Sequence, residues 1–316
     1  MKLVILDGKT LGNDLDLSPL KAFGELTIYE TTTSEETLER VKDVDVIITN
    51  KVIIDQNIMK NCPNLKLIAV TATGVNNIDL DTAKELKIAV KNVEGYSTNS
   101  VLQHTFTMAL HLMSHMDYYK EIVTNGQWSH SGLFTDVSKP FNEISGKAWG
   151  VIGFGTIGKE VARMAELFGA TVTYYSTSGR NKINDYHHDN LDELLSKSDI
   201  VSIHAPLNSD TLNLINQSNL GLLKDGAILL NLGRGGIVNE KDLANELNRR
   251  ELYAGLDVLS VEPIEEDNPL LKIEHSHRLL ITPHIAWASV EAREKLLKGV
   301  IENIKSCFHL KKLNLI

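Results

Sequence analysis

Short apolar runs alternate with stretches of helical spacing along the chain. The runs at residues 3–6, 46–49, 67–70 and 88–90 read as strands. Between them, residues 35–41, 55–60 and 81–86 carry helical patterns. Thr33 and Glu36 have the spacing of a capping box ahead of the first of these helices. From residue 148 the alternation resumes. Residues 148–152, 171–175, 200–204, 228–232, 253–258 and 279–282 read as strands, with helices in the gaps and a closing helix over 289–308. Alternating strands and helices of this kind predict an α/β fold built on doubly wound parallel sheets.

Two stretches break the rhythm. Residues 98–119 predict one long helix, in which Val101, Leu102, Phe106, Met108, Leu110, Leu112 and Met113 leave no clean polar face. Such a helix is expected to be buried on several sides. Residues 120–147 are punctuated by Gly126, Gly132, Pro140 and Gly146. They read as a loop anchored to the core by Trp128, Phe134 and Phe141.

Composition narrows the class. A chain of 316 residues is long enough for two domains. Hydrophobic content of 42% and charged content of 23% are those of a soluble globular protein. The net charge of −9, with no basic run, argues against a nucleic-acid surface, and an anionic ligand would need local cations. No apolar run approaches the ~20 residues of a membrane span. No charged segment leads a cleavable apolar one, so a cytoplasmic protein is expected. Cys62 and Cys307 lie far apart and carry no metal-ligand spacing, so neither a disulfide framework nor a metal site is expected.

The strand at 148–152 runs into Gly153-Phe154-Gly155-Thr156-Ile157-Gly158, and a helical pattern follows with Val161, Ala162, Ala165 and Phe168 on one face. Strand, G-x-G-x-x-G and helix in this order are the context of a dinucleotide site. The first glycine allows the tight turn, the second lets backbone approach a pyrophosphate, and the third lets helix pack on strand. The helix N-terminus, opened by Thr156 and Ile157, offers N–H groups and a partial positive charge to the phosphates. An NAD-binding unit places an acid about 20 residues further on, where it bonds the ribose. Ser176 stands there instead, followed by Arg180. No carboxylate repels a 2′-phosphate, and Arg180 has the chemistry to pair with one. NAD(H) and NADP(H) are both open, with NADPH expected to be accepted. His204 and Pro206, after the strand at 200–204, read as residues lining the cofactor cleft.

Three further strand ends carry chemistry. Arg234 lies among Gly233, Gly235 and Gly236 after the strand at 228–232; Glu262 follows 253–258, and His284 follows 279–282. Open α/β sheets bind ligands at the carboxyl ends of their strands. A guanidinium fork, a carboxylate and an imidazole delivered there can run a hydride transfer on a 2-keto acid. Arg234 would hold the carboxylate and polarise the ketone. His284 would give or take the hydroxyl proton, with Glu262 holding the imidazole.

On these motifs, in this order and spacing, the chain resembles the D-isomer-specific 2-hydroxyacid dehydrogenases over essentially its whole length. The resemblance implies Arg234, Glu262 and His284 as catalytic residues. It implies Asp257 near the nicotinamide carboxamide, and Leu232 and Gly233 as backbone contacts to the cofactor. Thr73-Gly74-Val75 is similar to the loop that binds the substrate carboxylate. A discontinuous flavodoxin-like substrate domain, 1–98 plus 288–316, and an inserted Rossmann-type NAD(P) domain, 99–287, are implied, as is a homodimer. The segment His284 to Ser289 is similar to that of glycerate dehydrogenases, also called hydroxypyruvate reductases. This implies reduction of hydroxypyruvate and glyoxylate to D-glycerate and glycolate. D-lactate or D-3-phosphoglycerate dehydrogenase activity stays open, as does a corepressor-like protein that uses the dinucleotide as a ligand. Trp287 has two readings, a wall of the substrate pocket and a core anchor.

Overall fold

The apolar runs become two parallel sheets. The computed structural model describes residues 1–179 and 185–309, and the chain divides into two compact units, Met1–Ser97 with Ala288–Ile316, and Thr98–Trp287.

In the first unit the strands are β1 (Lys2–Ile5), β2 (Glu25–Ile28), β3 (Val46–Thr49), β4 (Leu67–Val70) and β5 (Ala89–Lys91), all parallel, in the order β2-β1-β3-β4-β5. This is the flavodoxin-like order. Every residue of β3 and β4 is buried, because helices cover both faces. The closing helix Val290–Cys307 packs on β4 and β5. At the end of β1 the buried Asp7 carboxylate accepts from the amides of Asn50 (2.9 Å) and Lys51 (2.7 Å), which ties that strand end to the turn after β3. β2 carries no apolar run and was not expected. It is an edge strand with three of its four side chains exposed, so burial left no mark on its sequence.

The second unit holds β6 (Ala148–Ile152), β7 (Thr171–Tyr175), β8 (His187–His188), β9 (Ile200–Ile203), β10 (Ile228–Asn231), β11 (Tyr253–Leu256) and β12 (Leu279–Ile281). Their order, β8-β7-β6-β9-β10-β11-β12, is that of a Rossmann sheet with one added strand, and every pairing is parallel. Side chains alternate between two cores. Trp149 and Val151 face one with Met108, Leu112 and Leu230; Ile152 faces the other with Ile203, Leu229 and Leu247. The indole of Trp149 is fully buried and donates to Ser202 Oγ at 2.9 Å, so its one polar atom is satisfied.

Two expectations need correction. Residues 98–119 form two helices, Thr98–Met113 and Met116–Thr124, separated by His115 in a left-handed conformation (φ 50°). No glycine or proline marks the break. Tertiary contact makes it: the imidazole packs on the Tyr253 ring (5.4 Å between centroids) and its Nε2 donates to the Pro140 carbonyl (3.1 Å). The supposed anchors of the following loop are also on the outside. Trp128 is 42% exposed, Phe134 92% and Phe141 58%. Apart from the end of the helix Met116–Thr124, which buries Ile122, and the short helix Gln127–His130, this stretch offers no regular element that could press an apolar stripe onto the sheet.

Candidate active site

The site is built on the carboxyl edge of the seven-stranded sheet. β6 ends at Gly153, whose φ of 89° makes the turn and whose amide donates to the Tyr175 carbonyl. A Cβ at Gly153 would stand 2.6 Å from the Ala205 amide, so the turn lies backbone to backbone on the loop after β9. A Cβ at Gly158 would strike the Gly153 carbonyl, which is the close helix-to-strand packing the motif requires. Gly155 differs. Nothing lies within 4 Å of its Cβ position, and the helix it opens, Thr156–Leu167, has no side-chain cap and no acid in its first turn. Open space before uncapped N–H groups, Thr156 and Ile157 first among them, is a cradle for a pyrophosphate.

The second strand supplies the ribose end. Ser176, directly after β7, is buried, and its Oγ has no hydrogen-bond partner among the described residues. A buried hydroxyl is costly to leave unpaired, so its position suits a polar ligand atom. Arg180 lies outside the described residues. After β9, both ring nitrogens of His204 are buried and without a partner among the described residues. Burial pushes its pKa down to about 3, so the ring is a neutral imidazole. Pro206 is exposed, and its carbonyl accepts from Thr211 Oγ1 at 2.6 Å. These residues fit a dinucleotide.

The loop after β10 is locked by Asn231. Its Oδ1 accepts from the Gly233 amide (3.1 Å) and its Nδ2 donates to the Arg234 carbonyl (2.9 Å). Leu232 and Gly233 are buried, while the Arg234 side chain is exposed and makes no ion pair with a carboxylate among the described residues. Its guanidinium donates only to the Gly233 carbonyl in its own turn, so the fork is available to an anion. A Cβ at Gly235 would overlap the Leu259 carbonyl, so this turn rests on the loop after β11. There the Leu259 amide donates to Glu262 Oε1 at 3.0 Å.

The other oxygen, Glu262 Oε2, lies 2.7 Å from His284 Nδ1. The pair is partly exposed, 24% for the imidazole and 32% for the carboxylate. A carboxylate only accepts, so Nδ1 carries a proton and Nε2 is the atom left to exchange one with a ligand. His284 sits at φ 54°, a conformation that costs a non-glycine residue about 1–3 kcal/mol and persists only when its surroundings impose it. Asp257, buried at the end of β11, imposes it. Its Oδ1 accepts from Thr282 Oγ1 (2.6 Å) and the Ile285 amide (2.9 Å), and its Oδ2 from the Ala286 amide (2.9 Å). Trp287, next along, is half-buried.

Glu262 and His284 thus meet directly, and Arg234 stands on the adjoining turn. Thr73, Gly74 and Val75 belong to the first unit, in the loop after β4. There Thr73 Oγ1 donates to the Val93 carbonyl at 3.2 Å, and Asn92 Nδ2 donates to the Thr73 carbonyl at 2.6 Å. The roles of Asn231 and Thr282 were not read from the sequence, although Thr282 stands in the same short motif as His284. Among the described residues, no three His, Cys, Asp or Glu side chains cluster as metal ligands do, and no helix is long and apolar enough to cross a membrane.

Comparison with known proteins places this geometry. Residues 106–286 match the model of the D-isomer specific 2-hydroxyacid dehydrogenase NAD binding domain. The chain is 37% identical over 312 residues to a hydroxypyruvate reductase of Blautia hydrogenotrophica, covering 96% of each chain. It is 34% identical over 307 residues to a glycerate dehydrogenase of Methylorubrum extorquens, covering 96% of this chain and 95% of the other. Its fold matches the full length of an acyclic imino acid reductase, Bsp5, solved with NADPH and D-Arg, with a TM-score of 0.82 at 29% identity. The chain belongs to the D-isomer specific 2-hydroxyacid dehydrogenases, with two parallel-sheet α/β domains and an NAD(P)-binding domain of Rossmann type.

Proposed function

We propose that the protein reduces hydroxypyruvate to D-glycerate, and glyoxylate more slowly to glycolate. The observation that carries the reading is the 2.7 Å bond between Glu262 and His284 Nδ1, which leaves Nε2 as the proton-exchanging atom. Reduced nicotinamide, when bound, supplies the hydride to the C2 carbonyl carbon. Arg234 grips the substrate carboxylate with its fork and draws electron density from the ketone oxygen. His284 Nε2 delivers a proton to that oxygen as it becomes a hydroxyl. Glu262 accepts from Nδ1 and holds the ring in place, which leaves Nε2 for that transfer. The His284-to-Ser289 segment, together with relatives named hydroxypyruvate reductase and glycerate dehydrogenase, supports the three-carbon hydroxylated substrate. Turnover of a keto-acid panel, read as loss of absorbance at about 340 nm, the reduced-nicotinamide band, tests it. Hydroxypyruvate should be fastest. Faster pyruvate or 3-phosphohydroxypyruvate would overturn the substrate assignment, and no turnover of any keto acid would favour a binding-only role.

Cofactor choice follows from Ser176. Its hydroxyl, buried and without a partner among the described residues, stands where an acid would exclude a 2′-phosphate. NADPH is therefore used at a rate comparable to or better than NADH. Ser176→Asp should shift the NADH-to-NADPH preference by roughly ten- to a hundredfold towards NADH, the scale of one charge-assisted hydrogen bond gained or a like charge introduced. A parent enzyme that ignores NADPH would end this reading.

The same proposal includes a homodimer. Leu133, Phe134, Val137 and Phe141 are all more than half exposed within one short stretch, an apolar surface of the kind that marks an association site. Sedimentation at micromolar concentration should give a dimer, and Phe134→Ser with Val137→Ser should weaken it. A monomeric parent would refute it.

A further inference from the structure

The helix Thr98–Met113 reaches the His284 loop through two residues one turn apart. Ser100 Oγ donates to the Ala286 carbonyl at 2.6 Å. His104 Nε2 lies 3.0 Å from Thr282 Oγ1 and 3.7 Å from Asp257 Oδ1. The Thr282 hydroxyl has a single proton, and that proton goes to Asp257 Oδ1 at 2.6 Å. Its oxygen must therefore accept from the imidazole, so His104 holds the tautomer with a proton on Nε2. A directional chain results, from His104 to Thr282 to Asp257. Asp257 in turn accepts the Ile285 and Ala286 amides on the far side of His284.

The geometry points to His104 as a positioning residue for His284. By donating to the Thr282 oxygen, it turns that hydroxyl onto Asp257 and so closes the loop that keeps His284 left-handed. Two features separate this role from mere packing. The bond is to a side chain whose proton is already committed to Asp257, so an apolar replacement of equal bulk leaves the Thr282 oxygen without its donor. The loop is also gripped at both ends, with Thr282 before His284 and Ile285 and Ala286 after it, so loosening one end releases the φ of the residue between. This inference rests on the reading of His284 as the proton donor, and its test separates the two.

His104→Leu should lower kcat about five- to tenfold with the fastest keto acid of the panel, the scale of one lost hydrogen bond. KM and the quench of reduced-nicotinamide fluorescence on binding should hardly change. His104→Gln, whose amide can donate, should recover most of the rate. In a double-mutant cycle with Thr282→Val, the second substitution should add little to the first, because both cut the same chain. Hydrogen–deuterium exchange over residues 282–287 should speed up in His104→Leu. Should that variant fail to fold by near-ultraviolet circular dichroism, His104→Asn, too short to reach Thr282, takes its place in every arm. Unchanged exchange in the loop, or additive effects in the cycle, would overturn the inference. Faster exchange with an unchanged kcat would keep the hold of His104 on the loop and overturn His284 as the acid.

Discussion

Backbone-to-backbone contact between strand-end loops is the constraint on which this site depends. Gly153 and Gly233 both lie against the loop at Ala205, with Cβ positions 2.6 Å and 2.7 Å from its main chain, and Gly235 lies against the Leu259 carbonyl. Side chains at these three positions would force the neighbouring loops to shift. With glycine, the turns after β6, β9, β10 and β11 close into one continuous edge. The cofactor cradle, the Arg234 turn and the Glu262 turn then share a common floor. The glycines make the active site by contact as much as by conformational freedom.

On that floor, polar groups are distributed by what they can afford. Asp257 is buried and fully engaged with hydroxyl and amide donors, which makes it a brace for the His284 loop. The Glu262–His284 pair is left partly exposed, where a proton can arrive and leave. The His204 ring nitrogens are buried without partners among the described residues, and burial keeps the ring neutral. Arg234 is held by its backbone more than by its side chain, which keeps the guanidinium for a ligand.

Much of this was legible in the sequence, for a physical reason. Central parallel strands are buried on both faces, so β3, β4 and β6 appear as largely apolar runs with the bounds that the pattern predicts. The edge strands β2 and β8 have no such signature: both expose most of their side chains and were invisible. Contact-driven features were hidden as well. The break at His115 comes from Tyr253 and Pro140, both distant in sequence, and nothing local distinguishes it from helix. The Glu262–His284 bond was foreseeable from strand-end placement, because the topology brings such ends together. The bracing by Asn231, Thr282 and His104 was not, since each acts through a hydrogen bond whose partner only the fold selects. The exposure of Trp128, Phe134 and Phe141 ran against their reading as core anchors, since an apolar side chain is not by itself a buried one.

The central claim is that Glu262 fixes the tautomer of His284 that leaves Nε2 to exchange the proton. Glu262→Leu removes the acceptor for Nδ1, and Glu262→Gln keeps an oxygen there. The most direct measurement is kcat/KM for keto-acid reduction in the parent and in these two variants, with cofactor affinity measured beside it. The account predicts a loss of about a hundredfold or more in Glu262→Leu, the scale of general acid–base catalysis, with cofactor binding retained and much of the rate recovered in Glu262→Gln. A Glu262→Leu enzyme that keeps the parent's kcat/KM would contradict it.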